Sequence, residues 1–172
     1  MSHAKSLRVI GQSLEAARIA TFELEKHDQH YLVWIISLAK ANELILRDSI
    51  SEKDAVPQSD RKPTANPLFC FSRADISRLD AQAQKRRRNQ SSSAARLSKM
   101  LSHQLRTLGD HLDRIEVRAF QIVWTPDSVL LDYQPADGRR NRRIFIAEEL
   151  QQLCLHGKWL RSSDHLFLSQ DI

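Results

Sequence analysis

Leu7-Arg8-Val9-Ile10-Gly11-Gln12-Ser13-Leu14-Glu15-Ala16-Ala17-Arg18-Ile19-Ala20-Thr21-Phe22-Glu23-Leu24 is where this sequence changes its period. Leu7, Ile10, Leu14 and Ala17 return every three or four positions, which predicts an amphipathic helix over 4–18. Ala20, Phe22 and Leu24 then alternate with Thr21, Glu23 and Glu25, the period of two of a half-buried strand. Polar Lys26-His27-Asp28-Gln29 separates this strand from the apolar run Tyr31–Ile36. The whole segment reads as a helix feeding a β-hairpin.

The same change recurs later in the chain. An offset of 105 − 7 = 98 lays Leu7–Val33 on Leu105–Leu131 without a gap, with Leu7/Leu105, Arg8/Arg106, Gly11/Gly109, Leu14/Leu112, Phe22/Phe120 and Leu32/Leu130 identical. Both copies pass from helix to strand at the same point. A duplication accounts for this; two unrelated helix–hairpin segments that coincide are the alternative. A glycine inside a helix costs about 1 kcal/mol relative to alanine, so Gly11 and Gly109 are expected where another backbone comes close. The expectation is that each helix lies tightly on its own sheet there.

Outward from these segments the pattern is uneven. Glu43–Arg47 is either a third strand or the end of a short helix beginning near Leu38, because periodicity cannot separate the two over so few residues. Leu44–Arg47 and Arg142–Phe145, again 98 apart, are the matched third-strand candidates. Residues 49–66 are rich in Ser, Asp, Lys and Pro and read as a long surface loop. Pro67–Phe71 is a short strand candidate. Ser72 with Asp75 resembles a capping box opening a helix over 73–88, with Ile76, Leu79 and Ala83 inward. Asn89–Ser93 reads as a linker. A long helix is predicted over 94–115, with Leu97, Leu101, Leu105, Leu108, Leu112 and Ile115 on one stripe. Strands over 117–124, 129–133 and 142–146 follow, joined by turns at 125–128 and 135–138, and a helix over 147–156 closes the unit with Gly157 placed to cap it.

The fold class is therefore α+β, built as two tandem, duplicated helix–three-stranded antiparallel sheet–helix units. The first spans 1–88, the second 94–157, and 158–172 is a tail. Halves this small need a shared core or a homodimer to bury enough apolar surface. The α-β-β-β-α order is similar to that of double-stranded-RNA-binding domains. That resemblance covers each half and implies shape recognition through the first hairpin loop and a basic helix start. Here the first loop offers Lys26, His27 and His30, while the second offers Thr125-Pro126-Asp127-Ser128. The helix starts carry Asp75, Glu148 and Glu149 where that family places lysines.

Charge is concentrated. The chain has 26 basic and 21 acidic residues among 172, a net of +5. Lys85, Arg86, Arg87 and Arg88 form one tract, and Arg139, Arg140, Arg142 and Arg143 a second; without them the balance is 18 − 21 = −3. Two cationic clusters on an acidic body suit a polyanion, because each neutralised phosphate releases counterions. The plainer account is that cations near a helix C-terminus complement its dipole and stay solvated.

Chemistry-bearing motifs are scarce. His27 and His30 span a turn, and His103 and His111 stand roughly 12 Å apart along a helix, too far to share one metal. Cys70 lies between Phe69 and Phe71 and Cys154 between Leu153 and Leu155, which points to packing. Asp110, His111 and Asp113 diverge around their helix and read as a solvated face. Trp34, Trp124 and Trp159 with Phe22 and Phe120 are read mainly as core. No nucleophile elbow or glycine-rich phosphate loop is present. The longest apolar run, Tyr31–Ile36, is far short of the roughly 20 residues of a membrane span. Two cysteines without a framework fit a reducing, cytoplasmic setting. These readings converge on a non-catalytic binding protein without a cofactor or metal, whose two tracts contact the phosphates of DNA or RNA. The alternative is an adaptor or assembly component that meets an acidic protein partner.

Overall fold

The computed structural model describes residues 2–27, 29–47, 68–87, 94–97, 99–136, 138 and 140–156. Helix α1 (His3–Ala16) leads into strands β1 (Phe22–His27) and β2 (His30–Ile35), helix α2 (Leu38–Arg47), strand β3 (Phe69–Phe71) and helix α3 (Arg73–Arg87). A short α4 (Ala94–Leu97) and α5 (Leu101–Arg114) precede strands β4 (Ala119–Trp124), β5 (Ser128–Gln134) and β6 (Asn141–Ile146) and helix α6 (Ala147–His156). The strands form one antiparallel sheet in the order β3-β2-β1-β4-β5-β6. The protein is α+β, and the halves share a single sheet through β1 and β4 in place of two separate ones.

The junction sets the geometry. Leu24 faces Ile122, Phe22 faces Trp124 and Glu25 faces Gln121. Leu24 and Ile122 are 122 − 24 = 98 positions apart, so a twofold axis through that pair carries each half's register onto the other's. α1 and α5 obey the same relation. Asp113, in the last turn of α5, accepts the backbone N–H of His3 at 2.7 Å and of Ala4 at 3.0 Å. Glu15, in the last turn of α1, accepts that of Ser102 at 3.1 Å. Each helix thus caps the start of the other with a carboxylate, which satisfies donors that its own turns cannot. Both helices then end on a left-handed residue, Arg18 (φ 56°) and Glu116 (φ 52°), and the next N–H returns to Leu14 and Leu112 respectively.

The two glycines explain how closely these helices approach. A Cβ on Gly11 would stand 2.5 Å from the Ser102 Cα, and one on Gly109 2.5 Å from the Ala4 Cα. The close approach is therefore helix on helix, not helix on sheet as the sequence led one to expect. Leu7, Ile10, Leu14, Leu105, Leu108 and Leu112 fill the layer beneath and meet Phe22, Leu24, Ile122 and Leu131 of the sheet.

Residues 44–47 are the last turn of α2, so Leu44–Arg47 is not the third strand. That role falls to β3, where Phe71 faces Tyr31 as Phe145 faces Val129 on β6. The offset here is 145 − 71 = 74, so the first half holds 98 − 74 = 24 more residues between its second and third strands. They include α2, which crosses the outer face of the sheet. Ser37 Oγ accepts from Lys40 N at its start, and Ala41 and Ile45 pack on Val123 and Leu130. Alternation along β3 turns Phe69 and Phe71 inward and leaves Cys70 exposed, against the expectation of packing. Trp34 lies on the outer face, half-buried, while Phe22, Phe120 and Trp124 are core.

The helix expected over 94–115 is broken into α4 and α5. The chain turns through Lys99 and Met100, whose N–H groups return to Arg96 and Leu97. The break frees the N–H of Ser102 for Glu15 and seats Ser102 against Gly11. The loop expected at 49–66, the linker at 89–93, Gly157 and the tail at 158–172 lie outside the described residues.

Candidate anion-binding surface

The first basic tract ends α3. Ser72 and Asp75 make the expected box: Asp75 N donates to Ser72 Oγ at 3.2 Å, and Ser72 N to Asp75 Oδ2 at 3.1 Å. The Ser72 side-chain and backbone hydrogen bonds hold the Asp75 carboxyl below its ordinary pKa. Ile76 is fully buried and Leu79 packs beside it, which fixes the helix against α1. The two acids of α3 are engaged near its start and middle. Asp75 pairs with Arg78 at 3.2 Å, and Asp80 with Lys5 at 2.9 Å and with Arg8. From Ala81 onward the helix has no acid, and Lys85 is exposed. Arg86 and Arg87 occupy the last helical positions; Arg88 lies outside the described residues.

The second tract is on the opposite edge of the sheet and is drawn into the fold. Arg140 grips buried Asp132 with two guanidinium nitrogens, Nε at 2.7 Å from Oδ1 and Nη2 on Oδ2. Arg142 Nη2 donates to the carbonyls of Leu44 and Ile45 at 3.2 and 2.9 Å, closing the C-terminal turn of α2. The Arg143 guanidinium carbon stands 4.9 Å from the Phe145 ring centroid on the inner face. Arg139 lies outside the described residues. β3 and β6 are the opposite edges of the sheet, five strand spacings or roughly 24 Å apart.

A third cationic feature escaped the sequence reading. A cleft of 230 Å³ opens between α5 and α6, lined by His103, Arg106, Thr107, Asp110, His111, Arg114, Leu153 and Cys154. His111 is not on a solvated face: its ring meets Tyr133 edge-on at 6.1 Å. Burial, with the charges of Arg143 and Arg114, pushes its pKa down to about 4. The Cys154 thiol donates to Thr107 Oγ1 at 3.4 Å, and burial pushes its pKa up, so it is neutral. Asp113 serves α1 and Asp110 stands 3.9 Å from Arg106. The signal that could have found the cleft is Cys154 standing where the first half has Asp80, visible only once the offset changes from 98 to 74.

A larger cavity of 340 Å³ lies between the start of α5 and the β4–β5 turn. Two of its polar side chains are engaged, Glu15 by Ser102 and Thr125 Oγ1 by the Ser128 carbonyl at 2.9 Å. At the α1 start, His3 bridges the Tyr31 hydroxyl at 3.1 Å and the Val117 carbonyl at 3.0 Å, and burial lowers its pKa. Among the described residues no three His, Cys, Asp or Glu side chains converge as metal ligands, and no helix is long and apolar enough to cross a membrane. Comparison with protein families, with curated proteins and with solved structures finds no match for this chain.

Proposed function

We propose that this protein is a non-catalytic polyanion-binding module of the nucleic-acid-binding class, with the end of α3 as its main contact. The observation that carries this reading is the segregation along α3. Its acids are engaged by Arg78, Lys5 and Arg8, and its final turn holds only cations and neutral residues. Phosphates approaching that turn meet no competing carboxylate on the helix. Arg140, Arg142 and Arg143 play a second part, holding the β5–β6 edge and α2 in place while leaving that edge basic. The matching contacts at offsets of 98 and 74 support a duplicated α-β-β-β-α half into which α2 was inserted.

Fluorescence anisotropy with short single- and double-stranded DNA and RNA at two salt concentrations tests the proposal. The full chain should bind with a steep salt dependence. Replacing Lys85, Arg86, Arg87 and Arg88 by glutamine should weaken binding for all sequences alike and reduce the salt slope by roughly 3. Glutamine at Arg140 and Arg142 should act mainly on thermal stability. Absence of binding at low salt overturns the reading and leaves an acidic protein as the partner to seek.

A further inference from the structure

The α1–α3 junction and the α5–α6 cleft, beside the central helix pair, are built from corresponding positions. Lys5, Arg8 and Asp80 on the α1–α3 side correspond to His103, Arg106 and Cys154 on the α5–α6 side, by 98 for the first two and 74 for the third. On the α1–α3 side the Asp80 carboxylate is 2% exposed and accepts from Lys5 Nζ at 2.9 Å, from Arg8 and from Gln84 Nε2 at 2.9 Å. The position is filled, charged and neutralised. On the α5–α6 side a neutral thiol replaces the carboxylate, the arginine remains, and a 230 Å³ space is left.

We propose that the α5–α6 cleft binds a small free oxyanion, a phosphate or a carboxylate, whose oxygens occupy the place that the Asp80 carboxylate fills in the other half. Arg106 and Arg114 supply charge and forked donors; His103 lines the same space, and the Thr107 hydroxyl is held by the His103 carbonyl at 3.0 Å. The volume is below the usual range for larger organic ligands and suits a few heavy atoms. The one acid in the lining, Asp110, is half-exposed and stands at 3.9 Å from Arg106. Arg143 adds a third cation from β6; burial depresses the His111 pKa, and the charges of Arg143 and Arg114 lower it further. The site uses neither Lys85–Arg88 nor any long ligand, so it stands independently of the nucleic-acid reading.

The test is a titration of the full chain with inorganic phosphate, followed through the ring resonances of His103 and His111. Wild type should show a saturable shift with a Kd on the order of 1 mM or tighter. Arg106→Gln, at a side chain 50% exposed, should weaken it at least tenfold. Cys154→Asp, which places an internal carboxylate as Asp80 does, should abolish the shift. Lys85→Gln should leave it unchanged while weakening nucleic-acid binding, which separates the two proposals. Acetate titrated in parallel distinguishes the sources: saturation by acetate with the same variant pattern assigns a carboxylate, saturation by phosphate a phosphate. No saturable shift with either anion, or an equal shift in wild type and Arg106→Gln, overturns the proposal.

Discussion

The α1–α3 junction and the α5–α6 cleft are built from corresponding positions, share Arg8 and Arg106, and differ at Lys5/His103 and Asp80/Cys154, with opposite electrostatic outcomes. In the first, a buried carboxylate draws Lys5 and Arg8 inward; the desolvation of Asp80 raises its pKa, but the Lys5 hydrogen bond and the Arg8 charge outweigh it and hold the group low. In the second, the same ground holds Arg106 and Arg114 around a space, and the neighbouring histidine is kept neutral. The comparison teaches that symmetry of the backbone constrains packing, not charge. Gly11 and Gly109 stand where the helix backbones touch, whereas the outer faces of the same helices carry different side chains at Lys5 and His103.

The comparison can be broken first at the helix pair. Gly109→Ala and Gly11→Ala each place a methyl group 2.5 Å from backbone, with no flexible side chain able to give way at Gly109. Each should cost about 3 kcal/mol in urea unfolding, and the two costs should agree within about 1 kcal/mol. A neutral Gly109→Ala would mean that the helices do not approach as described. Next, Asp80→Asn should cost about 2 kcal/mol, because Arg8 is left buried without its carboxylate while Lys5, 44% exposed, escapes to solvent. Cys154→Ser at the corresponding place should cost under about 1 kcal/mol. Equal losses at the two positions would erase the contrast between the clefts.

The smallest effect is in pH. His111 has a folded pKa of about 4, below the ordinary value of 6.5. The unfolded chain therefore binds the proton more readily, and this group removes stability as pH falls from about 6.5 toward 4. After allowance for partial solvent contact the loss should be about 1 kcal/mol. It should be absent from His111→Asn, so that the difference between wild type and variant carries it when thermal unfolding is followed between pH 7 and pH 4.5. An unchanged acid limb would place His111 in solvent, as the sequence alone had it.

Much of the architecture was legible because it rests on local period. The change from 3.6 to 2 near Ile19 and Val117, the Ser72–Asp75 box and the β4–β5 turn are properties of neighbouring residues. The 98-residue offset was legible too, but it matched Leu24 with Ile122 only as equivalent positions and did not show that β1 and β4 pair there. Residues 44–47 were not, since Leu44, Ile45 and Leu46 satisfy either period; Val123 and Leu130 decide, offering a surface that an Ala41–Ile45 pair covers. The break before Leu101 was equally hidden. Its apolar stripe runs straight through, and only Glu15 and Gly11, 87 or more residues earlier, explain the start. Of the candidate phosphate contacts, the sequence showed the charges but not that Arg140 and Arg142 are held by Asp132 and the end of α2.

By itself, then, the sequence determined the elements, their apolar faces and the likeness of the halves, because these follow from spacing along the chain. Tertiary structure alone decided which backbones touch, which arginines are consumed by the fold, and that Cys154 stands where Asp80 would. Those outcomes depend on residues brought together from distant positions, and the 24 additional residues between β2 and β3, α2 among them, change the offset from 98 to 74.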